Sequence, residues 1–406
     1  MPGFQHIDKA ISQAIRLRRY VLPSLLHDAG GARLEPPDKA LFFSTDGWHL
    51  FLRVERCAYP LRRYFRETGF ETRLPGEFQE ILNAEAEWEQ GRIASARAQL
   101  EQIRAWALAD GAQPIILKGG LAVIEAAPLD LNDVDILLPE SDGARLFDAL
   151  LEAGYFPGGR AGRFARNQLW RDGSLAVEIH HGIHDGLLYP PDGHWPGTRK
   201  ASGPPGLWRL APMDHLWHVL LHNVDKSPRR RGRIRDLLLM RAALVTCSSA
   251  EIATLRDRAD NHELSRWLHA TLDCVANPGD PGGTAALEEF AVLSYLLGNR
   301  PENRSRVYPT EGMVNKWVYA LLAGPIERRK IWAEVFIKAP GVSTVGAIRR
   351  LQLSAPGIGH AAHMLARSVY RFLTLARGCL IANRCRRLRN RYLRHFRDHR
   401  PGITAV

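Results

Sequence analysis

Residues 132–138 read Asn-Asp-Val-Asp-Ile-Leu-Leu. Acidic and branched apolar side chains alternate there, and a period of two is the period of a β-strand. On such a strand Asp133 and Asp135 project together, while Val134 and Ile136 point to the opposite side. The neighbouring segments extend the pattern. Residues 114–117 form a short apolar run of strand type, followed by Lys118-Gly119-Gly120 and a helical stretch over 121–127. The strand expected over 134–138 is bounded by Pro139, and Ser141 is expected to cap a helix that ends at Gly154. A third strand over 175–180 follows the turn at Asp172-Gly173, so residues 111–185 are expected to form a compact α/β unit.

The flanks follow a helical period instead. Residues 1 to about 85 read as helices separated by loops at Gly30-Gly31, Pro36-Pro37 and Pro75-Gly76. One long helix is expected from about Asn83 to Asp110, with Leu100, Ile103 and Trp106-Ala107 on a buried stripe and Gly111 as its stop. Residues 189–205 are rich in Pro and Gly and read as a loop. Helices are expected at 212–223, at 233–245, onward to about 300, and again over 312–335. The expected fold class is therefore α+β, a small mixed-sheet core flanked by N-terminal and C-terminal helical regions. The expected divisions are 1–85 for the first helical region, 86–188 for the core, 206–345 for a helical domain and 346–406 for a basic tail.

Charge is distributed unevenly. Among 406 residues, 55 Lys and Arg oppose 43 Asp and Glu, for a net charge of +12. From Arg367 to Arg400 there are eleven Arg and a single acid, Asp398, so +10 of that balance lies in the tail and the body is nearly neutral. The five cysteines are scattered without a C-x-x-C pair, which argues against a disulfide framework and a thiolate zinc site. The N-terminus lacks the continuous apolar region of a secretory signal, and the most apolar long stretch, 361–382, is interrupted by Arg367, Arg371 and Arg377. A cytoplasmic protein, peripheral to a membrane if the tail holds it there, is the expectation.

The acids of the core carry the chemical argument. Asp133, Asp135 and Glu178 lie on strands that can sit side by side, and three converging carboxylates suit Mg²⁺, which also takes substrate phosphate oxygens. Two such ions activate an attacking oxygen and stabilise a leaving pyrophosphate. Gly119 and Gly120 open a helix directly after a strand, where absent Cβ atoms let backbone N–H groups approach a phosphate, and Lys118 offers a cation to the same group. His180 shares a face with Glu178 and is a candidate phosphate contact. Arg235, at the start of a helix beside Asp236, is a further one.

These residues in this order resemble the polymerase-β-type nucleotidyltransferase superfamily, whose signature is a Gly-Gly or Gly-Ser turn, a D-x-D pair and a third acid on a later strand. More narrowly they look like a bacterial group of uncharacterised nucleotidyltransferases. The shared motifs are Lys118-Gly119, Asp133-Val134-Asp135-Ile136-Leu137, Gly154-Tyr155 and Val177-Glu178-Ile179-His180. The resemblance covers about residues 85–245. It implies transfer of a nucleoside monophosphate from an NTP to an acceptor hydroxyl or phosphate, with Asp133, Asp135 and Glu178 on magnesium. It also implies Lys118, Gly119, Gly120, His180 and Arg235 on the nucleotide. Two departures stand out. Gly120 replaces the serine common in the superfamily, and Leu129-Asp130-Leu131-Asn132 lacks the arginine that often precedes the D-x-D.

Other polar clusters have plainer explanations. His218 and His222 are four residues apart on one helix face but lack the H-E-x-x-H pattern, and packing accounts for them. Arg229-Arg230-Arg231 reads as a solvated loop. From Ala361 onward, arginines alternate with apolar residues at helical spacing. This fits a docked terminal helix, a contact with an anionic membrane surface or acidic partner, or, third, nucleic acid. The rival functions are a catalytically silent nucleotide-binding scaffold and a nucleic-acid-binding or -modifying protein that uses the tail.

Overall fold

The computed structural model describes residues 2–28, 39–125, 129–157, 167–182, 199–200, 205–226, 231–278 and 281–298, with short helical pieces at 318, 321–322 and between 376 and 392. The chain divides into two units, Met1–Glu288 and Glu289–Val406.

The first unit opens with helices α1 (Pro2–Asp28), α2 (Thr45–Glu55), α3 (Ala58–Glu67) and α4 (Gly76–Asp110). Trp48, Phe51, Phe65 and Phe70 are buried among them, and the Trp48 indole donates to the Phe78 carbonyl at 2.9 Å. Helix α4 begins earlier than the sequence suggested and crosses the boundary expected near residue 85. Its stripe runs the full length, through Phe78, Leu82, Ala86, Glu89, Ile93, Ala96, Leu100, Ile103 and Ala107. Those three- and four-residue steps keep one face against the core. Gly111 ends it in a left-handed conformation (φ 70°), donating its N–H to the Ala107 carbonyl.

Next come β1 (Ile115–Ile116), α5 (Lys118–Ile124), β2 (Asp133–Leu137), α6 (Glu140–Glu152), β3 (Phe156–Pro157), β4 (Asn167–Trp170), β5 (Ala176–His180), β6 (Arg199–Lys200) and β7 (Trp208–Arg209). Their order in the sheet is β3-β4-β5-β2-β1-β7-β6. Strands β2 and β5 pair in parallel, with Asp133 opposite Ala176, Asp135 opposite Glu178 and Leu137 opposite His180. A parallel pair needs a crossover, which α6 supplies. Strand β1 runs antiparallel to β2, and β4 antiparallel to β5.

The alternation divides the sheet into two unlike faces. Val134, Ile136, Leu169, Val177 and Ile179 pack with Leu100 and Ile103 of α4, Leu121 of α5 and Leu146 and Leu150 of α6. The opposite face carries Asp133, Asp135, Gln168, Glu178 and His180, and beside them a small apolar group of Ile115, Leu117, Leu137 and Leu210. Helix α6 starts after Pro139, so Ser141 lies inside its first turn rather than capping it. Helix α5 starts at Lys118, which brings both glycines into the helix.

Helices α7 (Pro212–Lys226), α8 (Ile234–Leu244), α9 (Ser249–Asp260) and α10 (Ser265–Ala276) complete the first unit, and α11 (Pro281–Gly298) runs into the second. Ser248 and Glu251 form a reciprocal capping box at the start of α9. A buried relay joins both ends of the unit. Arg18 donates to Glu55 at 2.8 Å and to the Gly232 carbonyl, and Glu55 accepts the Ile234 N–H at 2.8 Å.

In the second unit the pieces between 376 and 392 are helical, with Ala382, Cys385 and Tyr392 buried and Arg389 paired with Glu289 at 2.6 Å. The helix expected over 312–335 falls mostly outside the described residues, as do the tail segment 361–375, Arg229, Arg230 and His184. No helix among the described residues is long and apolar enough to cross a membrane.

Candidate active site

The parallel pairing of β2 with β5 sets Asp135 and Glu178 side by side, and His180 follows on the same face. Ligand atoms of Asp135, Glu178 and His180 all lie within 4.8 Å of one another, and all three residues are buried. His180 Nε2 is 2.8 Å from Asp135 Oδ1 and 3.7 Å from Glu178 Oε2. Lys118 joins the cluster, with its Nζ 2.6 Å from the same Asp135 oxygen. Burial raises the pKa of Asp135, but the Lys118 charge and the His180 hydrogen bond outweigh it, and the carboxyl is held well below the usual carboxylate range.

Gln168 was not anticipated from the sequence. Its side-chain amide donates to Glu178 Oε1 at 2.8 Å and fixes that carboxylate. The signal was faint, since a four-residue strand at 167–170 offers only two turns of alternation. Asp133 sits one pleat earlier on β2, half-buried, outside the Asp135–Glu178–His180 group.

Gly119 and Gly120 are both buried, and sterics account for them. A Cβ on Gly120 would lie 2.9 Å from Ile116 Cγ2, closer than Cβ atoms approach. One on Gly119 would lie 3.0 Å from Leu131 Cβ and 3.1 Å from Arg235 Nη2. The absence of a serine at 120 thus follows from the packing of α5 on β1. Lys118 itself has φ +49°, a left-handed conformation that is costly for a non-glycine residue and is stabilised here by the Asp135 ion pair.

Arginines surround the loop that leads into β2, although residues 129–132, just before the D-x-D, contain none. Arg56, from the end of α2, and Arg92, from α4, both pair with the fully buried Asp130. Arg92 also donates to the Leu131 carbonyl and to Asn132 Oδ1 (3.2 Å). Arg235 donates to the Asp130 carbonyl at 2.6 Å and to Asp236 at 2.6 Å. Three guanidinium groups therefore fix the entry to β2. Arg231, expected in a solvated loop, is instead buried, donating to the Val224 carbonyl and lying 5.2 Å from the Trp267 ring centre.

Helix α7 adds His215 and His218, both buried, whose Nε2 atoms make no hydrogen bond among the described residues. Burial and the nearby Arg209 push the His215 pKa down to about 4. Burial and the Lys118 charge push that of His218 well below its usual value. Both imidazoles are neutral near pH 7. His218 is buried as packing requires, but its Nε2 tip is unbonded among the described residues, and it feels the charges of Lys118, Asp135 and His180.

These features define a protein with a buried carboxylate and imidazole cluster on one face of a small mixed sheet. A family model described as an uncharacterised nucleotidyltransferase matches residues 47–278, more than half of the chain. The protein belongs to that family, whose general reaction is nucleotidyl transfer. No curated protein gives a significant match.

Proposed function

We propose that the protein is a Mg²⁺-dependent nucleotidyltransferase that moves a nucleoside monophosphate from an NTP to an acceptor hydroxyl or phosphate. The observation that carries this reading is the convergence of Asp135, Glu178 and His180 within 4.8 Å, in a chain of the nucleotidyltransferase family. Two buried carboxylates and an imidazole fit a divalent cation, with Asp135 and Glu178 as the oxygen donors and Asp133 at the rim. When bound, Mg²⁺ supplies charge neutralisation for the triphosphate.

In the transfer, the acceptor oxygen bonds to the α-phosphorus as the bond to the α–β bridging oxygen breaks. The electron pair of that bond leaves with pyrophosphate. Asp135 is a weak base, because Lys118 and His180 already compensate its charge. Glu178, oriented by Gln168, receives the acceptor proton. Arg235 and the Asp130 clamp hold the loop before β2 against the helices that carry Lys118 and Arg92.

A second reading, a nucleotide-binding protein without turnover, is favoured by one contact. Lys118 Nζ stands 2.6 Å from Asp135 Oδ1, so an ammonium group already occupies the side of the carboxylate that a metal would use. The separating experiment incubates the protein with each α-labelled NTP, Mg²⁺ and fractionated cell extract, and follows labelled product and pyrophosphate. The transferase reading requires both to form and to fall about 10²–10⁴-fold in Glu178→Gln, the range for loss of a general base. Nucleotide binding by calorimetry with no product from any fraction would establish the silent protein instead. The basic tail is proposed to meet an anionic membrane surface or acidic partner, a reading supported by the exposure of Arg386, Arg387 and Leu380.

A further inference from the structure

The sheet face that carries the acids also carries two large aromatic side chains open to solvent. Phe156 is 51% exposed and Trp170 is 40% exposed. They are direct cross-strand partners, Phe156 of β3 opposite Trp170 of β4. Their face follows from the alternation. Leu169 pairs with Val177 and is buried in the main core, so Gln168 and Trp170 stand on the other side. Gln168 on that side reaches Glu178 at 2.8 Å, which fixes the assignment.

The register also gives their distance from the acids. Gln168 pairs with Glu178 and Leu169 with Val177, so the next antiparallel step sets Trp170 beside Ala176. Ala176 in turn pairs with Asp133 on β2. One row across the sheet therefore runs Phe156, Trp170, Ala176, Asp133. Two strand spacings, about 10 Å, separate Trp170 from Asp133. The adjacent row runs Gln168, Glu178, Asp135.

We infer that Phe156 and Trp170 form a stacking ledge for the nucleobase of the NTP whose phosphates meet Asp133, Asp135 and Glu178. This rests on the nucleotidyltransferase reading and adds where the base lies. Three points support it. Exposed aromatic rings bind any base through its π-face. The ledge lies about one nucleoside's length from the acids and on the same face. Asp133, the acid in the aromatic row, is half-buried and so keeps surface open to solvent, whereas Asp135 and Glu178 are buried. Stacking of this kind implies little discrimination among bases, because the ledge offers rings rather than an edge of donors and acceptors.

The test compares two ligands by calorimetry in the presence of Mg²⁺, ATP and inorganic tripolyphosphate, on the full chain. Wild type should bind both. Trp170→Ala should weaken ATP by about tenfold, within the range for loss of one aromatic stack, and leave tripolyphosphate unchanged. Trp170→Tyr should restore ATP binding, which shows that a ring rather than the fold is at issue. Equal loss for both ligands, or no loss for ATP, overturns the ledge. So does a change in sedimentation mass in Trp170→Ala with ATP affinity intact, since the pair would then be a contact between copies. Wild type that binds neither ligand overturns the nucleotide reading, and the ledge with it. Wild type that binds tripolyphosphate but ATP no more tightly overturns the ledge alone.

Discussion

Lys118 Nζ lies 2.6 Å from Asp135 Oδ1, tying the turn after β1 to the middle of β2. The lysine is held in a left-handed conformation, and the aspartate is buried at 2% exposure. The pair is therefore built against local backbone preference, and its removal should be felt throughout the site.

Lys118→Met should cost about 3–5 kcal/mol of stability, the range for breaking a buried ion pair by removing one partner. Among the described residues it leaves Asp135 with the His180 imidazole as its hydrogen-bond partner and with the full burial penalty on its charge. Urea unfolding at pH 7 measures this directly. Stability equal to wild type would show that the ammonium is not what compensates the carboxylate.

Gly120→Ser should destabilise by about 1–3 kcal/mol through overpacking against Ile116. The cost of Gly120→Ser should shrink in an Ile116→Ala background, because alanine removes the Cγ2 that the new side chain would strike. Thermal unfolding of the single and double variants checks this. A Gly120→Ser protein with wild-type stability and weaker ATP binding would instead assign the glycine to the phosphates.

Acid sensitivity should be traceable to α7. His215 is held near pKa 4 in the folded protein, below the value of about 6.5 for an unfolded histidine. A group depressed on folding contributes stability that is complete above the unfolded pKa and is lost as pH falls toward the folded one. Wild type should therefore lose stability relative to His215→Leu between pH 6.5 and 4. Urea midpoints for the two proteins at pH 7, 5.5 and 4.5 measure the difference. Parallel curves would show that folding does not lower the His215 pKa.

Much of the core was legible because its signals are local. The alternation at 133–137 and 176–180 sets side chains on one face or the other whatever surrounds it, and the stripe of α4 follows from its own period. Strands β3, β4, β6 and β7 were missed, β6 lying within the stretch 189–205 expected to be a loop. Each is two to four residues long, too short for a period to register, and pairing rather than propensity creates them. The same shortness hid Gln168 and the aromatic row.

From the sequence alone came the residue types and the strand faces, and with them the acids, the glycine turn and the resemblance to a nucleotidyltransferase. Only the tertiary structure decided which groups meet. It drew Asp135, Glu178 and His180 together, left Asp133 outside that group, and set Lys118 against Asp135. It also brought Arg56, Arg92 and Arg235 to Asp130 from three helices. The reason is physical: a strand's alternation fixes the side to which a residue points, whereas contact between residues 38 to 105 positions apart depends on how helices and sheet pack. Packing also decided the glycines, since the atoms that exclude a Cβ at 119 belong to Leu131 and Arg235, remote from it in sequence.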